Sequence, residues 1–281
     1  MPPAQAPATA LGHFLRGLVS EQIRRALADI ADGWGRRTLW GTMGLHDIRR
    51  GYRRSVIGPF WITLSMGIMV GALGLLYGTI FKQDMHDYLP YLAAGFVVWG
   101  LISSLITEGT AVFIGAEGLI RQLPAPLSVH VYRLLWSNLI IFGHNIWVFF
   151  AAALWYSLNP GWTALLALPA LALVLLNGFW LALLLGLLSA RFRDIPLVVA
   201  SVVQVMFFIT PVIWRPDMLP DRALVLDLNP LHHFVEILRA PLLGQVPDLR
   251  HWLAAFVVTG VGWVVALAFF RVYRWRLAYW V

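Results

Sequence analysis

Residues 164–188 read ALLALPALALVLLNGFWLALLLGLL, without one charged side chain. A helix of about 20 apolar residues crosses a hydrocarbon core roughly 30 Å thick, and this run exceeds that length. The whole chain has the same character: 59% of its 281 residues are hydrophobic and 12% are charged, against about 25% charged residues in ordinary soluble domains. The sequence therefore predicts an all-α integral membrane protein.

Outward from this stretch, further apolar runs predict six transmembrane helices in total. The predicted spans are about 56–81, 88–114, 131–158, 162–188, 195–214 and 252–270. Asn159-Pro160-Gly161 joins the third and fourth spans and has the residue types of a tight turn. These two spans are therefore expected to form an antiparallel hairpin.

Basic residues alternate between the two sides of the predicted spans. Most of the 21 Lys and Arg residues fall on the side that holds both chain ends. Because basic residues next to spans stay in the cytoplasm, both termini are predicted to be cytoplasmic. The first residues lack the pattern of a cleavable secretory signal, so the first span is expected to act as an uncleaved signal. The net charge of +7 comes from basic residues that lie beside the predicted spans, so nucleic acid is not expected as a partner.

Two segments outside the spans have their own patterns. Residues 1–33 are taken as an N-terminal cytoplasmic segment, and 34–281 as the transmembrane domain. Trp34–Arg50 mixes apolar and basic residues, which predicts an amphipathic helix in the headgroup region; a plain basic anchor for the first span is the alternative. The loop of about 215–251 contains five of the 16 prolines and predicts short external re-entrant or gate helices, one of them within Leu231–Leu238.

The sequence gives little support to an enzyme. It contains no G-x-x-x-x-G-K-[ST] phosphate loop, so any nucleotide energy is expected to come from a partner chain. Zero cysteines exclude thiol nucleophiles and thiolate metal ligands. His232, His233 and Glu236 place an imidazole and a carboxylate at i, i+4, which is metal-ligand spacing, but no convincing third ligand lies nearby in sequence, so a polar face on an interfacial helix is the favoured explanation. Asp84 and Asp87 resemble a solvated turn. We expect no catalytic residue and no metal site.

Glu108 is the one acidic residue within a predicted span. An ionised side chain there is costly, so it needs a polar partner or water. His144, Asn145 and Arg133 are the candidate partners. A structural contact between helices and a role in transport both remain open.

The first span carries Gly67, Gly71, Gly74 and Gly78 along one helical stripe. Such a stripe favours close helix packing. The alternative is a smooth wall along which a bulky substrate slides.

Aromatic side chains could line a path for sugars, because flat rings pack against the apolar faces of sugar rings. Interfacial anchoring is the alternative for each of them. The candidates lie in the first, second and fifth spans or at their ends: Trp61, Tyr77, Tyr91, Phe96, Trp99, Phe207, Phe208 and Trp214.

Several strings resemble one known family in combination. They are RRSVIGPFW at 53–61, ARFRDIP at 190–196 and LNPL at 228–231, and they resemble the type-2 ABC exporter permeases. The string YRWRLAYW at 273–280 is similar to the branch that exports O-antigen and related polysaccharides. The resemblance covers about residues 34–281.

This resemblance implies a homodimer of permeases in the bacterial inner membrane, working with two copies of a separate P-loop ATPase that binds ATP and Mg. The chain itself would bind no cofactor. The implied substrate is a glycan on an undecaprenyl pyrophosphate carrier, surrounded by membrane lipids. The implied coupling helix lies within Gly115–Ser128, with contacts from Glu117, Leu119, Ile120 and Arg121.

The same resemblance places Arg53 and Arg54 near the lipid pyrophosphate, where guanidinium forks suit phosphate oxygens; basic anchoring is the alternative for both. Two other functions stay open. One is a type-2 exporter of a drug or small lipid. The other is an integral-membrane enzyme that modifies glycans with the polar residues of the long loop or with the acidic pair at 84 and 87.

Overall fold

The computed structural model describes residues 8–51, 57–218 and 224–281, and across these ranges the chain is helical with no β-strand. The helices, numbered in chain order, are α1 (Ala8–Gly35), α2 (Arg37–Gly51), α3 (Phe60–Ile80), α4 (Met85–Ala111), α5 (Glu117–Gln122), α6 (Ser128–Trp155), α7 (Ala167–Arg191), α8 (Ile195–Ile209), α9 (Leu224–Asp227), α10 (Pro230–Leu242), α11 (Leu249–Tyr273) and α12 (Leu277–Trp280).

Five helices of the described ranges are long and apolar enough to cross a membrane: α3, α4, α6, α7 and α11. They lie within a few residues of five predicted spans, which confirms an all-helical, multi-pass membrane protein. The predicted fifth span, about 195–214, instead holds α8, which has only 15 residues. At 1.5 Å per residue α8 is about 22 Å long and does not reach across a core of about 30 Å. A sixth span therefore stays a prediction.

Helix α4 is the centre of the bundle, because it packs against α3, α6, α7, α8 and α10. Small residues allow the closest approach. A Cβ atom at Gly109 would lie 3.2 Å from the Cα of Ala182 in α7. Facing it, a Cβ at Gly178 would lie 2.9 Å from a methyl carbon of Leu105. Small-residue contacts of this kind hold membrane helices together by close packing.

The glycine stripe of α3 is only partly a packing surface. A Cβ at Gly74 would lie 2.2 Å from Leu89 Cδ1, and one at Gly78 would lie 2.5 Å from Met85 Sδ. Gly71, by contrast, faces open space. The second half of the stripe therefore packs against α4, as the close-packing interpretation predicts.

The chain after α8 turns without helical hydrogen bonds, so its carbonyl groups need other donors. Tyr88 Oη donates to the Ile213 oxygen at 2.7 Å. Arg239 Nη1 donates to the Pro211 oxygen at 2.6 Å. Non-helical backbone at membrane depth is stable only when such groups are satisfied inside the protein. Donors from α4 and α10 therefore allow α8 to end where it does.

Helix α10 begins at a sequence-encoded cap. The side chain of Asn229 accepts hydrogen bonds from the backbone N–H groups of Leu231 and His232, at 3.0 and 3.3 Å. Pro230 occupies the first helical turn, where a missing N–H costs nothing. Asn229 also donates to Thr210 Oγ1 at 2.9 Å, which ties the start of α10 to the end of α8. A short helix in the long loop is present, while its depth in the membrane stays a prediction.

Different elements of the chain lie at the two ends of the helix bundle. We call one the terminal face; it contains α1, α5, α12 and the 191–195 turn. Arg121 Nε donates to the Val281 oxygen at 3.0 Å, and Arg193 Nη2 donates to the Trp280 oxygen at 3.2 Å. We call the other end the loop face; it contains the start of α4 and the turn after α8. There Arg215 Nη2 donates to the Asp87 oxygen at 3.2 Å.

Candidate functional site

Three of the predicted path aromatics come together in the structure. Phe207 of α8 lies between Phe96 and Trp99 of α4, with ring centroids 5.7 and 5.6 Å apart. Phe96 and Trp99 are buried, and Phe207 is half-buried. Edge and tilted contacts at these separations stabilise aromatic pairs. The cluster fastens α8 to α4.

The other predicted path aromatics divide into exposed and structural side chains. Trp61 and Phe208 are exposed on α3 and α8. Tyr77 stacks on Phe81 with centroids 5.4 Å apart. Tyr91 Oη donates to the oxygens of Pro211 and Trp214, at 3.1 and 3.0 Å. Tyr91 therefore supports the turn after α8 instead of presenting a free hydroxyl to a substrate.

Helix α5, the predicted coupling segment, lies on the terminal face and is braced from two sides. Glu117 and Arg121 form an ion pair at 3.0 Å. Arg121 also donates to the Val281 oxygen, so the pair connects α5 to the last residue of the chain. Ile120 packs against the apolar cluster that contains Leu277. Leu119 is half-buried.

The loop between α5 and α6 is held by a residue from α1. The two carboxylate oxygens of Asp29 accept hydrogen bonds from the N–H groups of Leu127 and Ser128, at 3.2 and 3.0 Å. The Ser128 hydroxyl donates to the Asp29 backbone oxygen at 2.6 Å. The first N–H groups of a helix have no partner within it, so Asp29 caps α6 from another part of the chain.

Helix α1 is also tied to the end of α11. Arg274 Nη1 donates to the Arg25 oxygen at 2.5 Å and lies 3.8 Å from a carboxylate oxygen of Asp29. Gly33 fits directly against α6, since a Cβ there would lie 2.1 Å from Ser128 Oγ. No role for residues 1–33 could be predicted from the sequence, because the partner of Asp29 is 98 residues away and no local pattern reveals it.

An aromatic ladder continues from these helices into the bundle. Its members are Trp34, Trp40, Tyr132, Phe179 and Trp263. Trp40 stacks on Tyr132 at 5.8 Å, Tyr132 lies 4.8 Å from Phe179, and Phe179 stacks on Trp263 at 5.4 Å between centroids. The ladder joins α2 to α6, α7 and α11, so the Trp34–Arg50 segment packs on the bundle as well as carrying basic residues.

The predicted partners of Glu108 were wrong. Its carboxylate accepts a hydrogen bond from Asn138 Nδ2 at 2.8 Å. Arg133 instead forms a two-pronged ion pair with Asp47 of α2, with the Nη2–Oδ1 distance at 2.6 Å. His144 Nδ1 lies 2.8 Å from the Ile140 oxygen of its own helix. Glu108 and Asn138 are 30 residues apart in sequence, and no periodic pattern in the sequence favours Asn138 over its neighbours as the partner.

The polar residues of α10 form an ion pair and not a metal site. Glu236 pairs with Arg239, whose guanidinium carbon lies 4.1 Å from the ring centroid of Tyr91. His233 Nδ1 lies 2.8 Å from His251 Nδ1, and His233 Nε2 lies 2.9 Å from the Asp227 oxygen. Within the described ranges, no three His, Cys, Asp or Glu side chains are grouped to hold a metal ion.

The environment of α10 fixes the charges of these groups. Burial lowers the pKa of His232 to about 4, so its ring is neutral at pH 7. Burial alone would raise the pKa of Glu236, but the adjacent Arg239 outweighs burial and holds that pKa below its ordinary value. The same pairing raises the pKa of Arg239 against the effect of burial. The pair is therefore ionised and the imidazole is not.

Two further predictions concern the acidic pair at 84 and 87 and the arginine pair at 53 and 54. Asp84 is the N-cap of α4, accepting a hydrogen bond from the His86 N–H at 2.9 Å. It thus has a structural role, and Asp87 next to it is exposed. Arg53 and Arg54, predicted to meet the lipid pyrophosphate, lie outside the residues that the structure describes.

Comparison with known proteins shows which family the chain belongs to. The sequence profile of the ABC-2 type transporter family matches residues 38–243, from the start of α2 to just past α10. Among the relatives is a protein of Klebsiella pneumoniae named O-antigen export system permease protein RfbA. It is 22% identical over 234 residues, which are 83% of this chain and 90% of the relative.

A protein of Myxococcus xanthus with the same name is 24% identical over 221 residues, covering 76% of this chain and 84% of the relative. Both names describe transporter permeases, which confirms the prediction of a transport subunit rather than an enzyme. Because the family profile covers most of its length, the chain belongs to the ABC-2 type transporter family.

Proposed function

We propose that the chain is the membrane subunit of an ATP-driven exporter that moves an undecaprenyl-pyrophosphate-linked polysaccharide of O-antigen type across the bacterial inner membrane. The observation that carries this proposal is the similarity to permeases of O-antigen export systems over 83% of the chain. Nucleotide hydrolysis takes place on a separate P-loop ATPase, which holds ATP and Mg. The permease supplies the path.

A sixth crossing by α8 and the turn after it is part of this proposal. Arg193, just before α8, contacts Trp280 on the terminal face, and Arg215, just after the turn, contacts Asp87 on the loop face. The chain therefore passes from one face to the other between these two residues. This supports six crossings with both termini on the cytoplasmic side.

The ATPase docks on α5 in this proposal. Glu117, Leu119, Ile120 and Arg121 form the contact, and the bracing of α5 supports a mechanical role. A push on α5 would reach α6 through the Asp29 cap and α11 through Arg274. Coupled rigid-body movement of packed helices is a common way to open a path.

Two copies of the permease enclose the path. Helices α3 and α8 both pack on α4 and turn large apolar side chains outward, among them Ile68, Leu75 and Leu197. These outward faces support a homodimer with its path beside α3 and α8. Sugar rings would slide over Trp61 and Phe208, which are exposed, while Arg53 and Arg54 hold the pyrophosphate.

Reconstitution tests this function directly. The permease and its ATPase would be placed in liposomes, and ATP hydrolysis measured with and without an undecaprenyl-pyrophosphate-linked glycan. The double variant Leu119→Asp, Arg121→Glu is expected to lose glycolipid-stimulated hydrolysis at least about tenfold, since one buried contact and one charge pair are reversed. Gly118→Ala, on the exposed side of α5 with open space around it, is the matched control and should keep full stimulation.

Two outcomes would contradict the proposal. Stimulation by a small amphiphilic drug but not by the glycolipid would favour the drug-exporter alternative. Chemical change of the glycolipid by the permease alone would favour the enzyme alternative.

A further inference from the structure

The loop face contains a cavity that the transport path does not explain. Its volume is about 770 Å³, within the range of roughly 300–1,000 Å³ typical of small-molecule sites. Its walls come from the start of α4, the turn after α8, and helices α9, α10 and α11. We call it the outer cavity.

The outer cavity is charged but has no excess of positive charge. Three of its lining residues are arginines: Arg215, Arg239 and Arg250. Four are acids: Asp87, Asp217, Asp227 and Glu236. A polyanion such as a phosphate would meet more carboxylates than guanidinium groups, so the charge pattern disfavours it.

Many of these charges already pair with each other. Arg239 is fully engaged by Glu236 and the Pro211 oxygen. Arg250 lies 3.2 Å from Asp248 and 3.5 Å from Asp227. The cavity therefore offers alternating donors and acceptors in place of one strong charge, which suits a neutral ligand with many hydroxyl groups.

One buried atom in the wall lacks a partner. His232 is 4% exposed, and its Nδ1 has no hydrogen-bond partner among the described residues. It lies 4.0 Å from Glu236 Oε1, too far for a hydrogen bond. One hydroxyl oxygen could sit about 2.8 Å from both atoms, as hydrogen bonds require. A ligand hydroxyl that reached this nitrogen would supply the missing hydrogen bond.

Other polar groups also line the cavity. Arg215 Nε is buried and has no partner among the described residues. Asp217 and Gln245 are exposed side chains of the lining. A carboxylate accepts from two neighbouring hydroxyls, and a guanidinium donates to two neighbouring oxygens, so vicinal hydroxyl pairs match both.

We propose that the outer cavity binds a short neutral oligosaccharide, roughly two to three sugar rings long, with one hydroxyl bridging His232 and Glu236 and others meeting Asp217 and Arg215. The proposal rests on the proposed function, since the exported glycan is the expected source of these sugars. It gives each permease a saccharide site on the loop face, separate from the aromatic cluster of α4 and α8.

Binding is tested with the full permease–ATPase complex in nanodiscs by saturation-transfer difference NMR. The probe is a mixture of maltotriose, mannotriose and galactotriose. Wild type should give a saccharide signal. His232→Phe and Asp217→Asn should each weaken binding about tenfold or more, the usual effect of deleting one hydrogen bond to a charged or buried partner.

Two variants control for folding. His232→Asn keeps a polar group near the position of Nδ1 and should restore much of the signal that His232→Phe loses. Asp194→Asn, an exposed acid on the terminal face, should bind like wild type. Equal signals from wild type, His232→Phe and Asp217→Asn, or no signal from any of the three sugars, would overturn the proposal.

Export by the same variants separates the possible sources of the ligand. Slower glycan export in His232→Phe identifies the exported chain, and unchanged export identifies free sugar on the loop face. Because the binding measurement needs no transport, saccharide binding without glycolipid export would refute the proposed function alone. Export without saccharide binding would refute only the outer cavity.

Discussion

Helices α3 and α4 have the same mean hydropathy over their most apolar 18 residues, yet 11% of that window is buried in α3 and 78% in α4. The difference shows what hydropathy measures. Lipid tails and protein cores are equally apolar, so a sequence window reports that a helix avoids water, not which surface covers it. Packing and polar contacts make α4 the central helix, while α3 keeps an outward apolar face.

If this distinction is correct, changes around α4 should destabilise the protein, while matched changes on α3 should be nearly silent. The largest effect is expected for Arg239→Met, which removes the guanidinium of α10 that packs on Tyr91 of α4. Glu236, whose side chain is 17% exposed, would then be a largely buried charge without its partner. We expect a loss of about 3–5 kcal/mol, measured by thermal unfolding in detergent.

The double variant Arg239→Met, Glu236→Leu should recover part of that stability, because it leaves no unpaired charge. A single variant as stable as wild type would show that α4 does not depend on the α10 ion pair.

Acidification should weaken the same region. The folded protein holds the pKa of His232 at about 4, below the ordinary value of 6.5. As the pH falls from 6.5 to 4, the unfolded state binds a proton on this imidazole and the folded state does not. The free energy of unfolding is therefore unaffected by His232 above pH 6.5 and falls by about 3 kcal/mol between pH 6.5 and 4. Unfolding midpoints at several pH values measure it.

His232→Asn should make the pH profile less steep between 6.5 and 4. Identical profiles in wild type and His232→Asn would rule out the imidazole as the cause.

Gly109→Leu should cost about 1–3 kcal/mol by overpacking, since its side chain would meet the backbone of Ala182 in α7. Gly71→Leu is the counterpart on α3, where nothing lies within 4 Å of the added Cβ. Size-exclusion profiles after a heating series would compare them. Equal sensitivity of the two variants would remove the distinction between the helices.

The smallest difference is expected between two tyrosines. Tyr91→Phe removes the hydroxyl that supports the turn after α8 and should cost about 1 kcal/mol. Tyr77→Phe on α3 keeps the ring that stacks on Phe81 and should change stability by less than about 0.5 kcal/mol. A reversed order in unfolding midpoints would contradict the role of Tyr91.

Sequence periodicity and hydropathy predicted the helices well, because crossing a membrane requires long apolar runs. The predicted hairpin at 159–161 is also present: the Asn159 side chain accepts from the Gly161 N–H at 3.0 Å, and Gly161 has a φ of +60°. Turns of this kind are encoded by adjacent residues, so the sequence alone reveals them.

The contacts that depend on distant residues escaped prediction. Glu108 pairs with Asn138 and not with the expected partners, because the rotation of each helix about its axis is set by the whole bundle. The ion pair of Glu236 with Arg239 is local, at a spacing of three residues, and could have been found from the helical pattern.

The Asp29 cap has a consequence for biosynthesis. Helix α1 leaves the ribosome before α6, and the first N–H group that hydrogen-bonds to the Asp29 carboxylate is made 98 residues later. At roughly 5–20 residues per second, about 5–20 s pass between the synthesis of Asp29 and that of Leu127, which directly precedes α6. During that interval its docking surface is uncovered, so α1 can form its native contacts with α6 only after α3 and α4 have been made.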